Sequence, residues 1–218
     1  MKKQSGFTLI ELAIVLVIIG LLLGGVLKGQ ELINSAKVKS LANDFRNIEV
    51  QLYSYQDKYK ALPGDDPAAV QHLGASAAQS ATLAGNGQIG GAWDSETATD
   101  ESVIFWQHVR LAGLATGSTT LTNLAAFAPR NSEGGKIGIQ GGTTFTKITG
   151  MGGNFVICSD SINGKLATQI DTLLDDGETS TGSVRAIATA STGNAVTTAA
   201  INTDSASRSA QYTVCKAN

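Results

Sequence analysis

The chain is poor in the residues that carry most enzymatic and metal chemistry. Only two histidines occur in its 218 residues, His72 and His108, and neither has a partner at metal-ligand or triad spacing. No GxSxG, HExxH, Walker or CxxC motif is present, so hydrolase and redox readings have no support and no enzymatic activity is expected. Sixteen basic residues stand against eighteen acidic ones, for a net charge of −2 and a pI near 5.7. The basic residues are scattered without interleaved aromatics, which excludes the usual footprint of nucleic-acid binding. Cysteine is limited to Cys158 and Cys215, and the first 62 residues contain no proline.

What the sequence does have is one long apolar run. Phe7 to Leu27 contains a single ionisable residue, Glu11, and at about 1.5 Å per helical residue the run is about 32 Å long, enough to span a bilayer's hydrocarbon core. A carboxylate near one end of such a span is costly in lipid, so by default it marks a function and calls for a cationic partner. Lys2 and Lys3 precede the span and place the N-terminus on the cytoplasmic side. A small residue, Gly6, sits at the junction of polar leader and apolar run. This inverts a secretory signal, whose small-residue cleavage site follows the apolar segment. A cut after Gly6 would keep the helix in the mature protein and create a new α-amino group at Phe7. In a bundle of identical helices, the Glu11 carboxylate of one chain would pair with the Phe7 ammonium of its neighbour.

At Gly6, Phe7, Thr8, Leu9, Ile10 and Glu11, with the apolar run behind them, the chain resembles the type IV pilin and pseudopilin superfamily. The resemblance is sharp over roughly the first sixty residues. It implies cleavage after Gly6 by a membrane prepilin peptidase, N-methylation of Phe7, and helical self-assembly with the apolar helices in a filament core. Insertion would begin as an inner-membrane precursor served by an assembly platform, and end as an extracellular pilus, or in the periplasm for a pseudopilin. Many major pilins carry a proline late in the apolar segment. Here Lys28 stands in that region among Gly20, Gly24, Gly25 and Gly29, and glycine alone would have to loosen the helix, at about 1 kcal/mol per residue relative to alanine.

The helical pattern continues past the span. Val38, Leu41, Phe45, Ile48, Leu52, Tyr55 and Tyr59 form a narrow apolar stripe, and Leu62-Pro63-Gly64 stops it. One helix from near Phe7 to about Lys60 is expected, with residues 1–6 as leader, 7–29 as membrane or filament-core segment, and 30–61 as an amphipathic half packed against a sheet. Residues 62–218 form the rest of a single globular head. Within it the composition predicts a long loop from Pro63 to Asp100 with one helical turn near Pro67–Leu73, and a helix from Glu101 to about Leu114, capped by Thr99 or Asp100. A short helix is expected around Leu166–Leu174. Strands are expected at Lys136–Gln140, Thr143–Thr149, Asn154–Cys158, Ser183–Thr189 and Gln211–Lys216. Residues 190–210 are nearly all Ala, Thr, Ser, Asn and Gly and read as an exposed loop. The fold class is α+β, pilin-like: a long N-terminal helix on a C-terminal antiparallel sheet.

Cys158 and Cys215 lie beyond the membrane, where a disulfide is the natural pairing and two buried thiols the alternative. The bridge would bound a C-terminal loop as in pilins. Trp93, Phe105, Trp106 and Phe127 read as core, and His108 as a structural histidine inside a helix. No cofactor is required. Asp65 with Asp66, or Asp175 and Asp176 with Asp171, could supply oxygen ligands to calcium, but neither group matches an EF-hand and turn and cap chemistry explains both more cheaply. A pilus subunit leads the functional readings. A type II secretion pseudopilin or a minor or tip pilin is the alternative within the superfamily, and a membrane-anchored adhesin or binding module is the alternative from another class.

Overall fold

A computed structural model describes residues 8–80, 84–189, 201 and 205–218. Helix α1 runs unbroken from Leu9 to Tyr59, 51 residues or about 77 Å. Thr8 is its N-cap, and Lys60 closes it in the left-handed conformation (φ 58°), donating its N–H to the Gln56 carbonyl. The helix therefore ends where the Leu62-Pro63-Gly64 stop signal predicts. It continues through Gly24 and Gly25, and a Cβ placed on Gly20, Gly24, Gly25 or Gly29 would meet nothing within 4 Å. Packing within the chain does not require these glycines.

Only the second half of α1 packs on the head. The predicted stripe residues Val38, Leu41, Phe45, Ile48, Leu52 and Tyr55 are buried, joined by Ala42, and Tyr59 is half-buried at the end. The head comprises α2 (Ala69–Leu73), α3 (Glu101–Leu111), β1 (Ile137–Gly141), β2 (Phe155–Asn163), α4 (Gly164–Leu174), β3 (Val184–Ala188), α5 (Ser205–Ser209) and β4 (Gln211–Ala217). The four strands form one antiparallel sheet in the order β1-β2-β4-β3. Its two faces bury different clusters, as the two-residue side-chain period requires. Phe155, Ile157, Val184, Ala186 and Val214 join the α1 stripe, α3 and α4 in the main core. Val156, Cys158, Ile187 and Cys215 lie on the opposite face under Trp93, Phe145, Ile148 and Met151.

This second layer corrects one expectation. Thr143–Thr149 is not a strand: Gly142–Thr144 is a single 3₁₀ turn, and an irregular segment follows it. Its apolar residues, Phe145, Ile148 and Met151, recur every three positions and cover the sheet face, whereas a strand would need alternation. A side chain at Gly142 would strike the Gly153 backbone, so the chain folds tightly there.

Other boundaries shift for local reasons. Helix α3 stops at Leu111, three residues early, because Gly113 turns to φ 77° and Leu114 donates back to the Val109 carbonyl. Strand β2 runs five residues past Cys158 through an irregularity between Ser159 and Ile162, where Ser161 adopts φ 58°. Of the predicted exposed loop, residues 190–200 and 202–204 lie outside the described residues, and Ser205–Ser209 is helical rather than loop.

Candidate functional site

The candidate site is the N-terminal half of α1. All fourteen large apolar residues between Leu9 and Leu27 are exposed, and so are Leu32 and Ile33. Burial of a large apolar side chain is worth about 1.5–3 kcal/mol, so this surface leaves on the order of 20–40 kcal/mol available to lipid or to other helices. Among the described residues α1 is the one helix long and apolar enough to cross a membrane.

Glu11 sits at the start of this surface and also has a role within its own chain. Its Oε2 accepts both the Thr8 backbone N–H and the Thr8 hydroxyl, each at 2.8 Å, while the Glu11 N–H donates to Thr8 Oγ1 at 3.3 Å. Thr8-Leu9-Ile10-Glu11 is thus a capping box, and its sequence signature, Ser/Thr three residues before an acid at the head of an apolar run, was legible. One carboxylate oxygen is occupied by the cap. Gly6 and Phe7, where cleavage and methylation are expected, lie outside the described residues.

In the head, Cys158 and Cys215 are joined by the expected disulfide. They are direct partners in the β2–β4 register, with Cα atoms 4.1 Å apart, and both are fully buried. The bridged segment contains α4, β3 and α5, so it includes a sheet strand and a packed helix as well as loop. Lys216, on the same strand, hydrogen-bonds Glu49 of α1 and ties the sheet to the helix.

The aspartates considered for calcium separate into two places. Asp65 accepts N–H groups from Asn86 (3.0 Å) and Gly87 (2.7 Å), and also from Gly85, so its carboxylate fastens the 85–87 turn. Asp66 is fully buried and accepts from Tyr55 Oη at 2.7 Å and Ala68 N at 2.8 Å, with His72 Nδ1 at 2.7 Å. Burial would raise its carboxyl, but His72, Tyr55 and the Ala68 N–H together hold it below the usual carboxylate range. Hydrogen-bond donors within the fold thus occupy both carboxylates. The Asp66–His72 pair resembles half of a catalytic triad, yet among the described residues no hydroxyl or thiol bonds the other ring nitrogen; Tyr59 stacks on the ring instead.

His108 is structural, as expected. Its Nδ1 accepts the Gly64 N–H at 3.0 Å and its Nε2 lies 2.8 Å from the Ala78 carbonyl, which fixes a neutral tautomer. Burial lowers its pKa. Trp93, Phe105, Trp106 and Phe127 are all buried core. Asp100 is the N-cap of α3 by position, but its carboxylate accepts from Ser95 Oγ at 2.6 Å rather than from the helix.

Residues 1–27 match the family described as the prokaryotic N-terminal methylation motif, which is the prepilin-type signal of type IV pilins and pseudopilins. The chain carries that signal at the head of its long apolar helix, and the match ends at residue 27, before the stripe and the head. No curated protein and no solved structure matches the chain.

Proposed function

We propose that this chain is the structural subunit of a type IV pilus, cut after Gly6, N-methylated at Phe7 and polymerised through α1. The observation that carries this reading is the pairing of a prepilin-type signal with a helix whose apolar first half stays exposed among the described residues while its second half is anchored in a folded head. A plain membrane anchor would need neither the signal nor Glu11. Before assembly the precursor spans the inner membrane with its N-terminus in the cytoplasm. Prepilin peptidase removes the leader, and an assembly platform feeds the subunit into a filament of identical chains. There the span's apolar surface is buried by neighbouring helices, and each Glu11 faces a neighbour's Phe7 ammonium.

Shearing filaments from cells and quantifying their subunits by mass spectrometry tests the proposal. A pilus subunit is the principal component of the sheared fraction. A chain found only in trace amounts there, or only in periplasmic fractions, would make the minor-pilin or pseudopilin reading the correct one.

A further inference from the structure

A cavity of about 420 Å³ lies among α1, α3 and the start of β1, within the range of small-molecule sites. Asp44 and Gln51 line it from α1, two turns apart on one face, and Trp106 and Arg110 line it from α3, one turn apart. Three polar atoms of these residues, Gln51 Oε1, Trp106 Nε1 and Arg110 Nε, are shut away from solvent with no hydrogen-bond partner among the described residues. Trp106 is only 3% exposed. Buried polar atoms without partners are costly, and three around one cavity call for a ligand that brings both acceptors and a donor.

The charges at this cavity are unpaired as well. Arg110 is half-buried, and its Nη1 and Nη2 donate to the Ser118 and Phe127 carbonyls at 3.0 and 2.7 Å, with the Phe127 ring centre 4.5 Å away. The guanidinium is thus held in place, yet among the described residues no carboxylate neutralises it. Asp44, also half-buried, forms no ion pair among them either, and burial raises its carboxyl above the usual range. The two do not pair with each other, so a ligand has room between them. Arg130 lines the cavity too but is exposed, and water screens its charge.

We propose that this cavity binds a small zwitterion, a free amino acid, with its carboxylate on the Arg110 guanidinium and its ammonium on the Asp44 carboxylate. A carboxylate takes two parallel N–H groups from one guanidinium edge, and an ammonium has donors for Asp44 and for Gln51 Oε1. Water does not reach Gln51 Oε1 or Arg110 Nε, so binding turns these side chains toward the ligand, a rotamer change common at binding sites. A simple anion would leave Asp44 unpaired, a simple cation would leave Arg110 unpaired, and a neutral sugar would neutralise neither. Ile48, Leu114 and Ile137 supply apolar wall, which suits an aliphatic side chain. The inference is independent of the pilus reading.

Thermal unfolding of the detergent-solubilised full chain against a panel of the standard amino acids tests it, followed by calorimetric titration of those that stabilise. At least one of leucine, isoleucine and valine should raise the unfolding midpoint and bind with a Kd below about 1 mM. Its N-acetyl derivative, which lacks the ammonium, and its amide, which lacks the carboxylate, should each bind about tenfold or more weakly, and glucose should not stabilise. Asp44→Asn should weaken the free amino acid about tenfold but leave the N-acetyl form unchanged, a pattern that a general loss of stability does not produce. Arg110→Lys keeps the charge and loses the fork, and should weaken both forms alike. No midpoint shift with any amino acid would overturn the site, as would blocked forms that bind as well as the free amino acid, equal stabilisation by glucose, or undiminished binding by Asp44→Asn. Binding confined to polar amino acids would overturn the aliphatic assignment.

Discussion

Thr8 and Glu11 satisfy each other at the head of α1: one Glu11 oxygen takes two Thr8 donors while the Glu11 N–H returns a bond to the Thr8 hydroxyl. The carboxylate that would pair between subunits therefore also starts the helix within its own chain. Substitutions separate these roles. Glu11→Gln keeps an oxygen for the cap and loses the charge, whereas Glu11→Ala loses both. If inter-subunit pairing governs assembly, both variants insert and are processed, yet both form few filaments by electron microscopy. Normal filaments from Glu11→Gln would leave Glu11 with the cap alone.

The Cys158–Cys215 bridge joins adjacent strands under Trp93, Phe145 and Met151. Replacing both cysteines with alanine should lower head stability by about 2–4 kcal/mol. Urea unfolding of the solubilised chain, with and without the substitutions, measures this. An unchanged midpoint would show that the buried face holds the strands without the bond.

Tyr55 is the last buried residue of the α1 stripe, and its hydroxyl is one of the donors on the buried Asp66 carboxylate. Tyr55→Phe leaves the packing and removes that donor, at a cost of about 1–3 kcal/mol. Asp66→Asn in the same background should recover part of the loss, since a neutral amide no longer needs the missing donor. Equal stability of wild type and Tyr55→Phe would show that His72 and the Ala68 N–H suffice.

His108 should make the head sensitive to mild acid. Its folded pKa lies below the unfolded value of about 6.5, so the unfolded chain takes up the proton first and stability falls as pH drops through that value toward the folded one. Burial raises the carboxyls of Glu101 and Asp171, the latter to about 6, so these groups push stability the other way as pH falls. Comparison with His108→Gln isolates the histidine: its stability should be lower at pH 8 but fall less between pH 7 and pH 5. Parallel pH profiles for the two proteins would contradict the assignment.

What could be read from the sequence follows from the range of the forces involved. The stripe from Val38 to Tyr55 shows itself through helical periodicity, and the order of β1, β2, β3 and β4 through short apolar runs between turns, because both are local patterns. The strand expected at Thr143–Thr149 fails because its β-like composition is local, while the role of Phe145, Ile148 and Met151 in covering the disulfide face depends on a sheet assembled from distant strands. Which groups bond Asp65 and Asp66 is not legible in the sequence for the same reason: Gly87 and Tyr55, which donate to them, lie 22 and 11 residues away. The Thr8–Glu11 cap is legible locally, as a threonine three residues before a glutamate at the head of an apolar run.

Intact-mass and N-terminal sequencing of filaments sheared from wild-type cells, beside a Gly6→Val strain, bears most directly on the proposed function. Filaments built by this chain should contain it without Met1–Gly6, starting at Phe7 and carrying one methyl group, while the Gly6→Val strain keeps an uncleaved precursor in its membranes and makes no such filaments. Unprocessed chain in the wild-type filaments, or filaments of normal number from Gly6→Val cells, would contradict it.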